Sequence, residues 1–342
     1  MTGETWSIKA ALEWTEGYLE RKGDPNPRLA AEWLIAQACG LSRIELYVRY
    51  DQPLSLGERD VLRDFVRRRG AGEPLQYITG EAAFRHITLK VRPGVLIPRP
   101  ETEVLVSEAL ALLPAPPRRV ALDSTIEARE GDAMRAEQTL RAAGEGRDEA
   151  PVPAREPEPA PAGGDDGAEG VLRVADLCTG SGCVACSIAF EHPLARVVAT
   201  DISPEAVALA RENVAALGLG ERVSVLTCDL GEGIPERVMG RLDLVVSNPP
   251  YVPTDVLAGL PREVAAFEPA LALDGGEDGL EVYRRVVAWS AGALRPGGGL
   301  AVELHETRLD DAADIARAAG FEDVRVVSDL AGRPRVLSAR RG

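Results

Sequence analysis

Leu172-Arg173-Val174-Ala175-Asp176-Leu177, then Cys178-Thr179-Gly180-Ser181-Gly182, then Cys183-Val184-Ala185-Cys186-Ser187-Ile188-Ala189, is the stretch that decides the fold. Its first part is a short apolar run closed by a turn of small residues, which reads as a buried strand; its last part reads as a helix reaching about Glu191. The pattern repeats downstream. Arg196–Thr200 is a second strand, closed by Asp201, and Ser203-Pro204 caps a helix that runs to about Leu217 and stops at Gly218. Val223–Leu226, ending at Cys228-Asp229, is a third strand, and Leu242–Ser247 a fourth. A helix near 279–293, a turn at Pro296-Gly297-Gly298-Gly299, a strand over Leu300–Leu304, a helix over 308–319 stopped by Gly320, and strands at Val324–Val327 and Arg335–Ala339 complete the series. Strands alternating with helices predict an α/β protein with a doubly wound, Rossmann-like sheet. Ligands of such sheets bind beyond the carboxyl ends of the strands.

Those strand ends carry chemistry. Gly180-Ser181-Gly182-Cys183-Val184-Ala185 satisfies the G-x-G-x-x-G/A template between a strand and a helix, where glycine lets the backbone approach a nucleotide closely. Asp201 lies 21 residues beyond Gly180, where an acid can hold a ribose hydroxyl pair. Taken alone, this also fits a nicotinamide dinucleotide. Asp176 before the turn and Asp229 after the third strand favour a cationic sulfonium nucleoside, because they would repel a pyrophosphate. Cys183-x-x-Cys186 resembles a redox pair, and with Cys178 and Cys228 at nearby strand ends it raises zinc, but the spacing lacks paired zinc knuckles, so small-residue packing is expected and no metal.

The fourth strand ends in Asn248-Pro249-Pro250-Tyr251. Each proline restricts the residue before it to extended backbone, and neither proline offers an N–H. A stiff corner results, presenting a side-chain amide, bare carbonyls and an aromatic ring. The Asn248 side-chain oxygen and the Pro249 carbonyl can each accept one N–H of a planar amine or amide, and Tyr251 can stack on its face. Such a nitrogen is a poor nucleophile because its lone pair is delocalised. Orientation, and hydrogen bonds that favour a pyramidal nitrogen, are what a protein can supply.

The remainder frames this core. Residues 1–80 read as small amphipathic helices with apolar faces at Trp6, Leu12, Trp14 and Leu19, then Leu29, Trp33, Leu34 and Ala38, then Ile44, Leu46 and Tyr47, then Val61, Leu62, Phe65 and Val66. Arg63, Arg67, Arg68 and Arg69 read as a solvated basic helix end, with contact to an acidic partner as the sharper alternative. Phe84, Ile87, Leu89 and Val91, then Pro93-Gly94 and Val95-Leu96-Ile97, suggest a hairpin over 82–97, and Arg99-Pro100-Glu101-Thr102-Glu103 starts a helix reaching about Leu113. Either these residues cap that helix, or Arg99, Glu101 or Thr102 lines the pocket. Residues 114–170 have no aromatic residue, and ten of the 26 residues from Glu145 to Gly170 are Pro or Gly; a disordered insertion is expected there. The domain expectation is a helical docking domain over 1–80, a hairpin linker over 81–99 and a catalytic domain over 100–342 carrying that insertion. A net charge of −15 argues against a general nucleic-acid binder. No apolar run approaches a membrane span, and no signal-peptide pattern opens the chain, so a cytoplasmic protein with no membrane contact is expected.

Together these motifs resemble the glutamine methyltransferases of peptide-chain release factors, the HemK/PrmC family. The likeness spans 1–113 and 171–342. It includes Gly94-Val95-Leu96-Ile97-Pro98-Arg99-Pro100-Glu101-Thr102-Glu103, the glycine turn, Asn248-Pro249-Pro250-Tyr251, and Phe267-Glu268-Pro269 through Gly275-Gly276 and Asp278-Gly279-Leu280. The resemblance implies a class I methyltransferase sheet, S-adenosylmethionine as donor, and the glutamine amide of a Gly-Gly-Gln loop as acceptor. It also implies a helical N-terminal domain that docks the release factor. Carried over by position, Gly180, Gly182 and Asp201 bind the donor, with Thr179 and Ser181 in the same loop and Asp229 and Leu230 flanking the adenine. Asp176, Cys178 and Asn248 complete the expected donor site, and Asn248, Pro249, Pro250 and Tyr251 are the expected catalytic set. Cys178 stands where the family has a first glycine, which puts the shape of that turn in question. His305, after Glu303-Leu304, replaces a commoner glycine and reads as a surface histidine. A monomer acting on release factors without direct nucleic-acid contact is expected. Three alternatives stay open: a methyltransferase for a ribosomal-protein glutamine, an adenine-amine methyltransferase, and a binding module that kept the fold and lost catalysis.

Overall fold

The computed structural model describes residues 6–116 and 170–342. The expected insertion at 114–170 therefore lies, for residues 117–169, outside the described residues. The chain forms two compact units. One comprises Met1–Ala83, Thr88–Ile97 and Asp255–Leu273; the other comprises Phe84–Ile87, Pro98–Thr254 and Asp274–Gly342.

The first unit is helical. α1 (Ile8–Arg21) starts at Ser7, whose hydroxyl accepts the Ala10 N–H at 3.2 Å. α2 (Pro27–Cys39) ends at Gly40 in the left-handed region. α3 (Arg43–Val48) and α4 (Leu56–Gly70) open with capping boxes, Ser42 with Glu45 and Ser55 with Glu58, which satisfy N–H groups that a helix start otherwise leaves unpaired. α5 (Leu75–Thr79) follows. Ile8, Leu12, Leu19, Leu34, Ile35 and Leu46 fill the core. Trp14, expected on the apolar face, is 48% exposed and stacks on Tyr18 at 5.4 Å. Trp33 is likewise exposed, with the Arg43 guanidinium over its ring. Both cover their faces with neighbouring rings and cations instead of entering the core.

The basic end of α4 is a solvated face at Arg63 and Arg67, as expected, but not at Arg69. Arg63 pairs with Asp60 and Arg67 with Asp64, one turn back on the same helix. Arg68 grips Glu73, and Arg69, only 8% exposed at its side chain, binds Asp24 at 2.6 Å and Glu263 at 2.9 Å. Arg69 is a structural tie within this unit.

After α5 the chain makes a hairpin, β1 (Glu81–Phe84) with β2 (Ile87–Lys90). Its turn is at Arg85-His86 and not at Pro93-Gly94, as the sequence had suggested. Arg85 adopts φ 50° there, its N–H donates to Glu103 at 3.0 Å, and its guanidinium forks onto Glu191 at 2.6 and 2.7 Å. Those contacts offset the unfavourable backbone.

The second unit is the sheet, in the order β5 (Val223–Thr227), β4 (Ala195–Asp201), β3 (Leu172–Leu177), β6 (Leu242–Ser247), β7 (Leu294–Glu303), β9 (Pro334–Arg341), β8 (Phe321–Ser328). β5, β4, β3, β6 and β7 are mutually parallel, and β9 pairs antiparallel with both β7 and β8. α6 (Thr102–Leu112), α7 (Cys183–Glu191), α8 (Pro204–Ala216), α10 (Glu281–Ala293) and α11 (Leu309–Ala318) accompany it, and the short α9 (Arg262–Ala265) belongs to the first unit. β6 is buried at every position, as a strand covered on both faces must be. Pro296–Gly299, expected as a turn, lies inside β7. The register jumps there from Leu242↔Leu294 to Leu244↔Gly299. A Cβ on Gly298 would stand 3.0 Å from the Leu242 carbonyl oxygen, and one on Gly299 would stand 2.8 Å from the Leu112 Cβ of α6. Glycine is what this bulge can hold.

Candidate active site

Leu177 pairs with Thr200 of β4 on one side and with Ser247 of β6 on the other. The Ser247 hydroxyl donates to the Leu177 carbonyl at 2.7 Å, fixing β6 to β3 at that level. The residues that follow, Cys178, Asp201 and Asn248, therefore lie at the same level, at the carboxyl ends of three neighbouring strands. β4 and β5 lie to one side of β3, and β6 and β7 to the other. This is a topological switch point, the place where ligands of such sheets bind.

The glycine turn is tied at both ends. The Thr179 N–H donates to the Thr200 carbonyl at 2.9 Å, and the Gly182 N–H to the Thr179 carbonyl at 2.9 Å. Cys178 keeps the left-handed backbone a glycine would take, φ 60°, so the turn retains its shape with a side chain in a strained position. A Cβ on Gly180 would meet nothing within 4 Å, whereas one on Gly182 would stand 3.2 Å from the Ala210 Cβ of α8. Gly180 thus leaves backbone open for a ligand, and Gly182 lets two helices approach.

Each acid has a defined place. Asp176 is 1% exposed, and its Oδ2 accepts the Thr179 hydroxyl at 2.6 Å and the Ala185 N–H at 3.1 Å, binding the turn to the start of α7. Burial pushes its carboxyl up to about 7. Asp201 accepts the Gly180 N–H at 2.8 Å and the Ser203 N–H at 2.9 Å; burial raises its pKa, and these bonds pull the other way. Asp229 accepts from Arg285 at 2.7 Å, which draws part of its charge into an ion pair. Leu230 has φ 45° and buries its side chain in the sheet core. The Ser181 and Thr200 hydroxyls are buried beside this turn without a hydrogen-bond partner in the described structure. A glycine backbone with room beside it, orphaned hydroxyls and three carboxylates at neighbouring strand ends fit a cationic nucleoside. The thiols are free; burial raises Cys178 and Cys186, and Cys183 to about 12, so none is reactive. Among the described residues no group of three or more His, Cys, Asp and Glu could hold a metal.

Beyond β6, the Asn248 Nδ2 donates to the Thr102 hydroxyl at 3.1 Å. Thr102 is 2% exposed, at the first position of α6. Of the alternatives left open for Arg99, Glu101 and Thr102, Thr102 touches the corner directly, and Glu101 pairs with Arg333 at 3.3 Å. The Tyr251 hydroxyl donates to Glu303 at 3.3 Å. His305 sits beside Tyr251, ring centroids 6.5 Å apart, half-buried, with its Nδ1 against the Thr307 hydroxyl at 2.9 Å. It is partly exposed, as expected of a surface histidine, and also lies against Tyr251.

The proline corner rests on glycines. The Gly275 N–H donates to the Val252 carbonyl at 2.8 Å. A Cβ on Gly275 would lie 2.7 Å from the Tyr251 Cα, and one on Gly279 would lie 2.5 Å from the Tyr251 carbonyl oxygen. Sequence reading singled out these glycines as a motif without seeing what they touch. It missed Glu303, which is 1% exposed. The signal was there: an acid closing the apolar run Leu300-Ala301-Val302 at the carboxyl end of a strand.

Comparison with known proteins agrees with this arrangement. The family described as PrmC N-terminal domain matches residues 10–80, and the Methyltransferase small domain matches residues 168–258. A release factor glutamine methyltransferase of Geobacter sulfurreducens is 38% identical over 339 residues, 99% of this chain and 98% of that protein. Those of Moorella thermoacetica and Mycolicibacterium smegmatis are 38% and 36% identical over 98% of this chain and 99% and 98% of their own lengths. Among solved structures, a ribosomal protein L11 methylase of Lactobacillus delbrueckii subsp. bulgaricus aligns with a TM-score of 0.37 and 20% identity, over 50% of this chain and 71% of that one. With relatives this similar along nearly its whole length, the chain belongs to the release factor glutamine methyltransferases.

Proposed function

We propose that the protein methylates the side-chain amide nitrogen of the glutamine in the Gly-Gly-Gln loop of peptide-chain release factors, using S-adenosylmethionine. One observation carries this reading: an open glycine turn and a carboxamide held from behind leave paired strands, β3 and β6, at the same level. The donor supplies an electrophilic methyl group on a positively charged sulfur. Thr179, Gly180, Ser181, Gly182 and Asp201 hold it at the turn, with Asp176 and Cys178 shaping that turn and Asp229 and Leu230 closing the far side. The carboxylates favour its positive charge, as they would not favour a phosphate.

Asn248 and the Pro249 carbonyl accept the two amide hydrogens of the glutamine. With its Nδ2 committed to Thr102, Asn248 presents Oδ1 as the acceptor. Two hydrogen bonds to the amide nitrogen draw its lone pair out of conjugation and aim it. Pro250 stiffens the corner, and Tyr251 walls one face. No base is needed before attack, since an amide alkylated at nitrogen is strongly acidic and loses its proton readily. The helical first unit docks the release factor, and the protein acts as a cytoplasmic monomer without binding nucleic acid; among the described residues no helix is long and apolar enough to cross a membrane.

Purified release factor incubated with labelled donor, followed by mass spectrometry of its Gly-Gly-Gln peptide, tests this reading. A methyl group on that glutamine is expected. Label found only on ribosomal protein, or on nucleic acid, overturns it.

A further inference from the structure

We propose that a cavity beside α1 and α4 of the first unit is where the release factor docks, and that it takes an apolar side chain of that protein flanked by carboxylates. The inference rests on the reading of the release factor as substrate, and adds the surface and the chemistry by which it is held.

The cavity has a volume of about 360 Å3. Leu62 and Val66, buried residues of α4, form its floor, and three rings form a wall. Trp6 meets Trp14 edge-on at 5.6 Å, and Trp14 stacks on Tyr18 at 5.4 Å. The wall is fixed in place. Trp6 is tied to the chain ahead of α4, its carbonyl accepting the Leu54 N–H at 2.7 Å. Tyr18 lies so close to the end of α4 that a Cβ on Gly70 would stand 2.8 Å from its ring. A hollow built in advance loses little freedom when a partner enters it. Trp14 is exposed all the same, and an aromatic surface left in water marks a place that another molecule covers.

The rim of the cavity is basic. Arg59, Arg63 and Arg67 recur at four-residue spacing, which puts them on one face of α4, and no acid lines the cavity. The Arg59 guanidinium lies over the Trp6 ring at 5.8 Å and meets no carboxylate among the described residues. Arg63 and Arg67 pair only with Asp60 and Asp64 of their own helix, and both guanidiniums are exposed. Ion pairs so wet are weak and give way to a better placed anion. Tryptophan, tyrosine and arginine are the residue types that carry most of the binding energy where proteins meet.

The occupant follows from charge and from the acceptor. Three guanidiniums around an apolar hollow select an apolar side chain with carboxylates beside it. A nucleic-acid strand also stacks on such rings, but it needs a track of cations for its phosphates, and this chain carries a net charge of −15. A second copy would bring the same −15 against the first. The release factor needs such a contact. A Gly-Gly-Gln loop offers no side chain besides the glutamine itself, so selecting it among the glutamines of other proteins requires a grip elsewhere on the release factor.

The test is steady-state methylation of purified release factor by wild type, Trp14→Ala, Trp14→Phe, Arg59→Glu and Trp33→Ala, with melting temperature and donor affinity recorded for each. Trp33 is the control, an exposed tryptophan under a guanidinium that does not line the cavity. Trp14→Ala and Arg59→Glu should raise KM for the release factor roughly tenfold or more, the effect of losing one interface anchor. Their kcat and donor affinity should stay near wild type, as when a contact is made equally before and during reaction. Trp14→Phe should recover most of the loss, and Trp33→Ala should match wild type. Added salt should raise the wild-type KM and move that of Arg59→Glu less. Wild type should protect from hydrogen exchange a release-factor segment holding an apolar residue beside Asp or Glu, and Trp14→Ala should not. An unchanged KM in both cavity variants, a loss in Trp33→Ala as large as in Trp14→Ala, or protection confined to segments without acids overturns the inference and leaves the functional reading intact. So does a wild-type dimer that Trp14→Ala splits, seen by light scattering, or RNA binding that Trp14→Ala abolishes. If Trp14→Ala melts early, Arg59→Glu against Arg59→Lys decides: KM should rise with glutamate and largely hold with lysine. A wild type that methylates no release factor overturns the functional reading, and the inference with it.

Discussion

Thr102 and Asn248 are 146 positions apart and joined by a 3.1 Å hydrogen bond at the carboxyl edge of the sheet. Because the bond uses the Asn248 nitrogen, replacement at 248 should separate catalysis from donor binding. Asn248→Ala should lower kcat by about two orders of magnitude, the scale seen when one preorganised group is removed. Asn248→Asp should be as poor, since a carboxylate cannot donate to Thr102. Donor affinity by calorimetry should stay near wild type in both; turnover near wild type would show that Asn248 does not grip the acceptor.

The glycines behind the corner make a second prediction. Gly279→Ala places a methyl group against the Tyr251 carbonyl and at φ +74°, and Gly275→Ala presses on Pro250 and Tyr251. Each should destabilise the fold by about 1–3 kcal/mol, read from denaturant unfolding, and should lower turnover beyond what the unfolded fraction explains. Gly220→Ala, with nothing within 4 Å of the new methyl group, is the control and should leave both unchanged.

Cys178 offers a test of backbone strain. At φ 60° a non-glycine residue carries about 1–2 kcal/mol of unfavourable energy. Cys178→Gly relieves that strain and gives up a packed thiol, so its stability should fall within about 1 kcal/mol of wild type. Cys178→Val puts a β-branched side chain into the same backbone and should lose about 2 kcal/mol or more. Equal stability of the two variants in urea titrations would mean that the turn is not left-handed at this residue.

Asp176 predicts a pH dependence with a definite sign. Its folded carboxyl titrates near 7, against an ordinary value of 3.8. Between these values the folded protein holds a proton that the unfolded chain has released, so this group's contribution is present at low pH and is lost as pH rises through 7. Asp176→Asn, which still accepts from Thr179 and Ala185, should flatten the fall in Tm between pH 5 and pH 8. A positive donor favours the carboxylate, so binding at pH 7 should release protons, seen as a buffer-dependent heat in calorimetry and reduced in the asparagine variant. An unchanged heat in that variant would remove Asp176 from the donor's electrostatic surroundings.

Much of this was legible in the residues because it is local. An apolar run, a turn of small residues and a capped helix each depend on a few neighbours, so β3, β4 and β6 and the helices after them were found nearly to the residue. The proline corner declared itself for the same reason. Glu303 beside the Tyr251 hydroxyl did not, because that contact depends on register. The bulge in β7 decides that Val302, and no neighbour, lies beside Ser247, and alternation along a strand does not reveal how many residues a bulge absorbs. The hairpin failed similarly: the Pro93-Gly94 signal was real turn chemistry, but Arg85, with its distant carboxylates, held the actual corner.

The Ser247–Leu177 hydrogen bond has a consequence for how substrates are spaced. The two loops begin on neighbouring ribbons, whose separation is about 4.8 Å in any such assembly. The molecule carries its own ruler. With donor and acceptor held as proposed, a variant with longer or shorter loops would shift each reactant along its own lane, yet the width between lanes would stay the same.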